Sequence, residues 1–329
     1  MIKFAMFGAG RIAKVHGQTL NEHPAVSLKY VIDPVAEAAE TVASQFNAKV
    51  TDIDTAFADE SIDAILICSS TDTHSGLIER AARAGKAIFC EKPVDLDLSR
   101  ARDVAEIVKE TGVTCFIGFN RRFDPTFMTM KKQQEQGRIG KLEQLVITSR
   151  DPSPPPVSYI KVSGGLFRDM MIHDLDMARW MLGEEPVEVF ATGSALVDPE
   201  IGEAGDVDSA HVILKTASGK LCHINNSRRA SYGYDQRIEA LGSKGMLQAG
   251  NHRENNVSFL GEEGDVTAKP MHFFLERYMP AYRNELQEFV ETVLEGGQPT
   301  ATIEDGVQAL VLADACLESL KIGKTVKLV

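Results

Sequence analysis

The run Ile2-Lys3-Phe4-Ala5-Met6-Phe7-Gly8-Ala9-Gly10-Arg11-Ile12-Ala13 decides how the first third of the chain is read. A nearly continuous apolar segment meets G-x-G-x-x-A and then a helix-like stretch, the strand, glycine turn and helix order that a dinucleotide-binding motif requires. Gly8 is expected to make the tight turn. Gly10 would let backbone N–H groups approach a pyrophosphate at the positive end of the helix, and Ala13 would allow close helix-to-strand packing. Arg11 and Ile12 open that helix and are placed at the cofactor with the glycines. Asp33 ends the second apolar run, where a carboxylate can accept hydrogen bonds from the adenosine ribose hydroxyls. Its charge would oppose a 2′-phosphate, so NAD is favoured over NADP. The plain alternatives are an ordinary tight turn for the glycines and a strand-ending aspartate before Pro34.

Working outward, residues 2–7, 28–32, 64–68, 87–90 and 114–119 are short apolar runs separated by helix-like stretches such as 98–110. This alternation is the mark of βαβ units feeding a parallel sheet covered on both faces. From about residue 187 the texture changes to closely spaced strand-like runs, 187–196, 210–216, 220–227, 237–241 and 246–249, with turn signals at Ser218-Gly219 and Lys244-Gly245. Helices are expected at about 125–137, 167–182 and 280–295. The fold class is therefore α/β: a Rossmann domain over 1–119, then an α+β domain over 120–329 with a large, mainly antiparallel, open-faced sheet. The proline-rich segment 151–157 is expected to be a stiff surface loop.

Composition supports this plan. At 329 residues the chain exceeds what one core usually supports, and 43% hydrophobic residues suffice for two. A formal net charge of -12 gives no electrostatic case for binding nucleic acid or an anionic membrane surface. Five scattered cysteines without a C-x-x-C pair read as buried, reduced thiols. Neither a signal peptide nor a membrane span is visible, and a cytoplasmic enzyme is the expected setting.

Two further clusters carry chemistry. Glu91-Lys92-Pro93 follows the run 87–90 and so lies at the carboxyl end of the sheet, where open α/β folds bind ligands. Lys92, extended before a proline, could aim its ammonium at a substrate hydroxyl; a solvated turn lysine is the alternative. Ser69, Thr71 and His74, after the run 64–68, are placed at the cofactor together with Glu91 and Lys92. The second cluster is Gly164-Gly165-Leu166-Phe167-Arg168-Asp169-Met170-Met171-Ile172-His173-Asp174-Leu175-Asp176. Phe167, Met171, Leu175, Ala178 and Leu182 form its apolar stripe, and on a regular helix Asp169, His173 and Asp176 share one face. A neutral imidazole can take the proton of a secondary alcohol as hydride leaves, and a neighbouring carboxylate raises its basicity. Local sequence leaves three readings open: a structural His-Asp pair, a carboxylate and imidazole metal site, or an acid/base site. The last is preferred with no metal, because a nicotinamide carries hydride itself.

These motifs, G-x-G-R at the start, a strand-ending Asp33 and Glu91-Lys92-Pro93, resemble the Gfo/Idh/MocA family of sugar and polyol oxidoreductases across the whole chain. The resemblance implies a cis Lys92-Pro93 bond, a lysine on the reacting hydroxyl, and a catalytic histidine four residues after an aspartate, which matches Asp169 and His173. It is strongest to the members that oxidise inositols, carried by Phe119-Asn120-Arg121-Arg122-Phe123-Asp124, Ser149-Arg150-Asp151-Pro152 and Tyr232-Gly233-Tyr234-Asp235. It implies that Arg121, Asp151 and Tyr234 face the polyol with Lys92, Asp169 and His173. The implied activity is NAD-dependent oxidation of myo-inositol, or an epimer, to the 2-keto-inositol. Two alternatives stand beside it: a related dehydrogenase acting on scyllo-inositol or a monosaccharide, and a non-catalytic NAD(H)-binding regulator. Asp151 stands where asparagine is often found, which leaves the epimer open. A sheet with helices expected only before and after it can pack against another subunit, and the resemblance implies a homotetramer.

Overall fold

The computed structural model describes residues 1–328 and divides into two compact units. The first comprises Met1–Phe123 and Met279–Leu310; the second comprises Asp124–Tyr278 and the chain from Val311 onward. The sequence reading places one boundary at 119/120; the two units divide at Phe123/Asp124, and residues 279–310 belong to the first.

Up to Phe123 the elements are β1 (Ile2–Phe7), α1 (Arg11–Glu22), β2 (Val26–Ile32), α2 (Ala36–Gln45), β3 (Lys49–Val50), α3 (Ile53–Ala58), β4 (Ala64–Ile67), α4 (His74–Arg83), β5 (Ala87–Cys90), α5 (Leu98–Thr111) and β6 (Cys115–Ile117). The strands form one parallel sheet in the order β3-β2-β1-β4-β5-β6. β4 is buried at every position and β1 at all but Lys3, as apolar strands covered on both faces must be. The order reverses between β1 and β4, so the crevice at their carboxyl ends is the switch point at which such sheets bind ligands.

The remaining elements are α6 (Pro125–Glu135), β7 (Leu142–Arg150), α7 (Val157–Ser163), a π-helical turn (Leu166–Met170), α8 (Ile172–Leu182), β8 (Pro186–Ser194), α9 (Pro199–Glu203), β9 (Ser209–Thr216), β10 (Leu221–Ser227), β11 (Asp235–Gly242), β12 (Gly245–Ala249), the hairpin β13 (Ser258–Gly261) and β14 (Gly264–Thr267), α10 (Phe274–Arg277), α11 (Met279–Glu295), α12 (Ile303–Ile322) and β15 (Val326–Lys327). The large sheet runs β12-β11-β7-β10-β9-β8-β15. It is antiparallel except between β7 and β10, which pair in parallel. The sequence reading did not anticipate β7 or α12.

Residues 151–156 lie outside any helix or strand, as expected of that proline-rich run. The predicted helix 167–182 is instead a π turn followed by α8. Alternate residues of β9 and β10 are buried, among them Ala210, Val212, Leu214, Cys222 and Ile224. On the other face Phe190, Ile213 and Leu221 are exposed. All five cysteines are buried free thiols. No helix among the described residues is long and apolar enough to cross a membrane.

Candidate active site

In the first unit, Gly8 has φ +100°, and a Cβ there would come within 2.5 Å of the Cys68 carbonyl, so only glycine lets β1 turn beside β4. A Cβ on Gly10 would meet no protein atom within 4 Å. Its smallness therefore answers to something other than protein packing. No side chain caps the N-terminus of α1, and its first turn carries no acidic residue. Uncapped N–H groups and the helix dipole suit that end for an anion. Ala13 is fully buried. The Asp33 carboxylate accepts from Ala9 N at 2.7 Å and from Val35 N at 2.8 Å, tying the end of β2 to the glycine loop. A shallow cleft lined by Ala9, Lys14, Val35, Glu37 and Thr41 opens beside it. These residues fit a dinucleotide.

The Lys92-Pro93 bond is cis. Beneath it, His74 is buried, with Nδ1 2.7 Å from Pro93 O and Nε2 3.1 Å from Ser69 O. Burial lowers the imidazole pKa and the two carbonyls oppose that shift; a neutral ring, with one N–H, donates to only one of Pro93 O and Ser69 O, while the ring as a whole packs between the loop after β4 and the loop after β5. Ser69 Oγ pairs with Thr73 Oγ1 at 2.6 Å across the turn Thr71–Thr73. Glu91 is also turned inward: Oε1 lies 2.7 Å from His16 Nε2, and Oε2 accepts from Lys92 N at 3.3 Å. The side chains of His74 and Glu91 are held by protein partners and support the two loops from within. His16 on α1 was not singled out from sequence, because its partner Glu91 is 75 residues away.

The second unit brings the three distant polar motifs to one end of its sheet. Arg150, at the end of β7, pairs in register with Asp235 at the start of β11 and with Ser227 at the end of β10. Asp151 N donates to Ser227 O at 3.0 Å. Arg150 donates to Tyr232 Oη at 2.9 Å and to Asn225 Oδ1, and Tyr232 donates in turn to Asp235. Tyr234, 6% exposed, packs edge-on to Phe273 and Tyr278. α8 is pinned to the same strands by Asn226 Nδ2, which donates to the fully buried Asp174 at 3.0 Å.

Asp169 lies in the π turn and His173 in the first turn of α8. Asp169 Oδ1 accepts from Tyr159 Oη at 3.1 Å, and its Oδ2 is 3.6 Å from Arg228 Nη2. Asp176, three residues after His173 on α8, is 1% exposed with its Oδ1 3.9 Å from Arg179 Nη1, and the π turn before α8 takes Asp169 off the regular helical phase that relates the other two. The apolar stripe from Phe167 to Leu182 is buried throughout, and so are Leu166, Ile172, Met177 and Met181. In the first unit Arg121 is 5% exposed in the turn Asn120–Phe123, and its neighbour Arg122 is held by Thr300 O and Asp305.

Comparison with known proteins decides the family. The oxidoreductase-family model for an NAD-binding Rossmann fold matches residues 2–119, and that for the C-terminal alpha/beta domain matches 131–328. The chain is a member of the Gfo/Idh/MocA family. Its fold and its NAD-linked oxidoreductase character are those of the family. This Gfo/Idh/MocA chain is 52% identical over 320 residues to an inositol 2-dehydrogenase of Rhizobium meliloti, covering 97% of each. It is similar to a solved myo-inositol dehydrogenase from Corynebacterium glutamicum, with 46% identity and a TM-score of 0.96 over 100% of this chain and 99% of that one. A scyllo-inositol dehydrogenase from Lactobacillus casei, solved with NAD(H) and scyllo-inositol, matches with a TM-score of 0.92 at 29% identity, over 99% of each.

Proposed function

We propose that this chain oxidises a cyclic polyol, myo-inositol or a close epimer, at a single secondary hydroxyl to give the 2-keto-inositol. The observation that carries the reading is the near full-length 52% identity to an inositol 2-dehydrogenase. The gathering of Asp151, Asp169, Tyr234 and their buried polar neighbours at one end of the second sheet supports it. A polyol needs several convergent donors and acceptors, and a site built to hydrogen-bond hydroxyls rejects analogues that lack them.

NAD, when bound, supplies the hydride acceptor. Gly8, Gly10, Arg11, Ile12 and Asp33 would hold it along the glycine turn and α1, with Ser69, Thr71 and the main chain of Glu91 and Lys92 along the neighbouring strand ends. His173 takes the hydroxyl proton as general base. Lys92 stabilises the developing alkoxide, and Asp169 orients His173; Arg121, Asp151 and Tyr234 bind the remaining hydroxyls. The deciding assay follows NADH formation with myo-inositol, scyllo-inositol, D-chiro-inositol, glucose and xylose, repeated with NADP. Rapid turnover of one inositol with NAD is expected; no turnover across the panel would overturn the reading.

The exposed apolar face carrying Phe190, Ile213 and Leu221 is read as the contact with further copies of the chain in a homotetramer. A monomeric mass by light scattering at assay concentration would rule that out.

A further inference from the structure

Arg228, immediately after β10, is 1% exposed, the largest side chain buried to that degree. Its Nε and Nη2 have no hydrogen-bond partner among the described residues. A guanidinium cannot shed its proton, so a buried one persists only where negative charge compensates it. Asp169 does so, its Oδ2 3.6 Å from Nη2. Asp206, whose carboxylate accepts from Leu166 N at 3.0 Å, has its pKa pushed up by burial and drawn part of the way back by its backbone hydrogen bonds and the same positive charge. Leu166 and Asp169 bracket the π turn, and Gly165 before it, at φ +77°, has no room for a Cβ against Asp206. The turn that delivers Asp169 and begins α8 is therefore built around a buried cation.

We propose that Arg228 is a positioning residue for the reaction, fixing the orientation and charge of the Asp169 carboxylate and through it the alignment of His173. At 3.6 Å the pair is longer than a hydrogen bond, so Arg228 acts on Asp169 as a charge at fixed distance, while Tyr159 holds the other oxygen directly. Tyr159 from α7 holds Asp169 directly, Arg228 after β10 lies beside it, and Asp206 from the loop before β9 adds a like charge. Arg168 is engaged by Asp314. The inference rests on the assignment of His173 as base.

The test uses the full-length enzyme with NAD and its best inositol, comparing Arg228→Met, Arg228→Lys and His173→Ala. Arg228→Met should lower kcat by about 10- to 100-fold, the scale of a misplaced catalytic group, with the Kd for NADH unchanged. Loss of a buried cation from the site should move the acid limb of the kcat/KM profile upward, a readout that a merely structural role would leave in place. Arg228→Lys should leave the limb where the wild type has it and hold kcat within about 3-fold, since the charge returns and no hydrogen bond of the guanidinium is lost. If Arg228→Met fails to fold, the Lys variant decides, because a folded Lys variant that loses about 10-fold or more in kcat would overturn a role carried by charge. So would a folded Met variant with lowered thermal stability alone, or lowered kcat with an unmoved acid limb. An active His173→Ala would remove the base assignment instead, which is a separate failure.

Discussion

Replacing Asp33 with alanine tests how the chain chooses its cofactor. The carboxylate has two separable effects. It accepts backbone N–H groups from Ala9 at 2.7 Å and Val35 at 2.8 Å, bonds that shape the glycine loop for any dinucleotide. On the proposed placement of the cofactor, it also sets a negative charge against an adenosine 2′-phosphate. A pair of unit charges at about 4 Å interacts by roughly 4 kcal/mol near a protein surface. Partial exposure and salt reduce this to about 1–2 kcal/mol. Loss of the loop bonds weakens NADH and NADPH alike, so it cancels in the ratio of their dissociation constants, whereas loss of the charge favours NADPH alone. Asp33→Ala should therefore weaken NADH binding and narrow the NADH over NADPH preference by about 5- to 30-fold, the range that 1–2 kcal/mol corresponds to. Fluorescence titration of both reduced cofactors at fixed ionic strength reads both terms. A preference ratio that stays at the wild-type value while both affinities fall would refute the electrostatic part of the argument.

His173→Ala should lower turnover by about 100-fold or more with NADH affinity nearly intact in the same titration, and Lys92→Ala should behave similarly. Gly8→Ala forces a Cβ to 2.5 Å from the Cys68 carbonyl at φ +100°, so a loss of roughly 3 kcal/mol or more in stability, with NADH binding abolished, is expected in denaturation and titration experiments. Glu285 is fully buried without a hydrogen-bond partner on either oxygen, and burial, with the Glu91 charge beside it, pushes its pKa well up. A carboxyl held neutral in the folded state but ionised in the unfolded chain lowers stability as pH rises above its unfolded value. Glu285→Gln should accordingly raise Tm at pH 8 more than at pH 5, by about 2–4 °C for each kcal/mol relieved; an equal shift at both values would contradict a neutral Glu285.

Local grammar was readable in this chain because the physics behind it is local. The glycine turn, Asp33, the strands 2–7 and 87–90 and the Lys92-Pro93 corner need only neighbours in sequence to be recognised. β7 escapes a sequence reading because its polar positions, Glu143, Gln144, Thr148, Ser149 and Arg150, interrupt the apolar run; its parallel pairing with β10 joins segments with α8 between them. The π turn carries no composition signal, so the sequence pattern reads as one regular helix over 167–182, and the displacement of Asp169 from that phase is not legible in it. Arg228 sat in a plain Ser-Arg-Arg run after a predicted strand. Only its burial beside Asp169 distinguishes it from a surface arginine.

The return of residues 279–310 to the first unit bears on how the chain is made. Phe289 on α11 stacks against Phe4, Phe89 and Phe116, so the aromatic centre of the nucleotide-binding unit lacks one ring until α11 has been synthesised. At about 5–20 residues per second, the interval between synthesis of Phe4 and of Phe289 lasts roughly 15 to 60 seconds. Throughout it the growing parallel sheet presents an uncovered apolar surface to the ribosome exit and to any chaperone waiting there. Folding of this unit on the ribosome is thus obliged to be late, and a truncation before α11 should yield an N-terminal fragment that aggregates rather than a small nucleotide-binding protein.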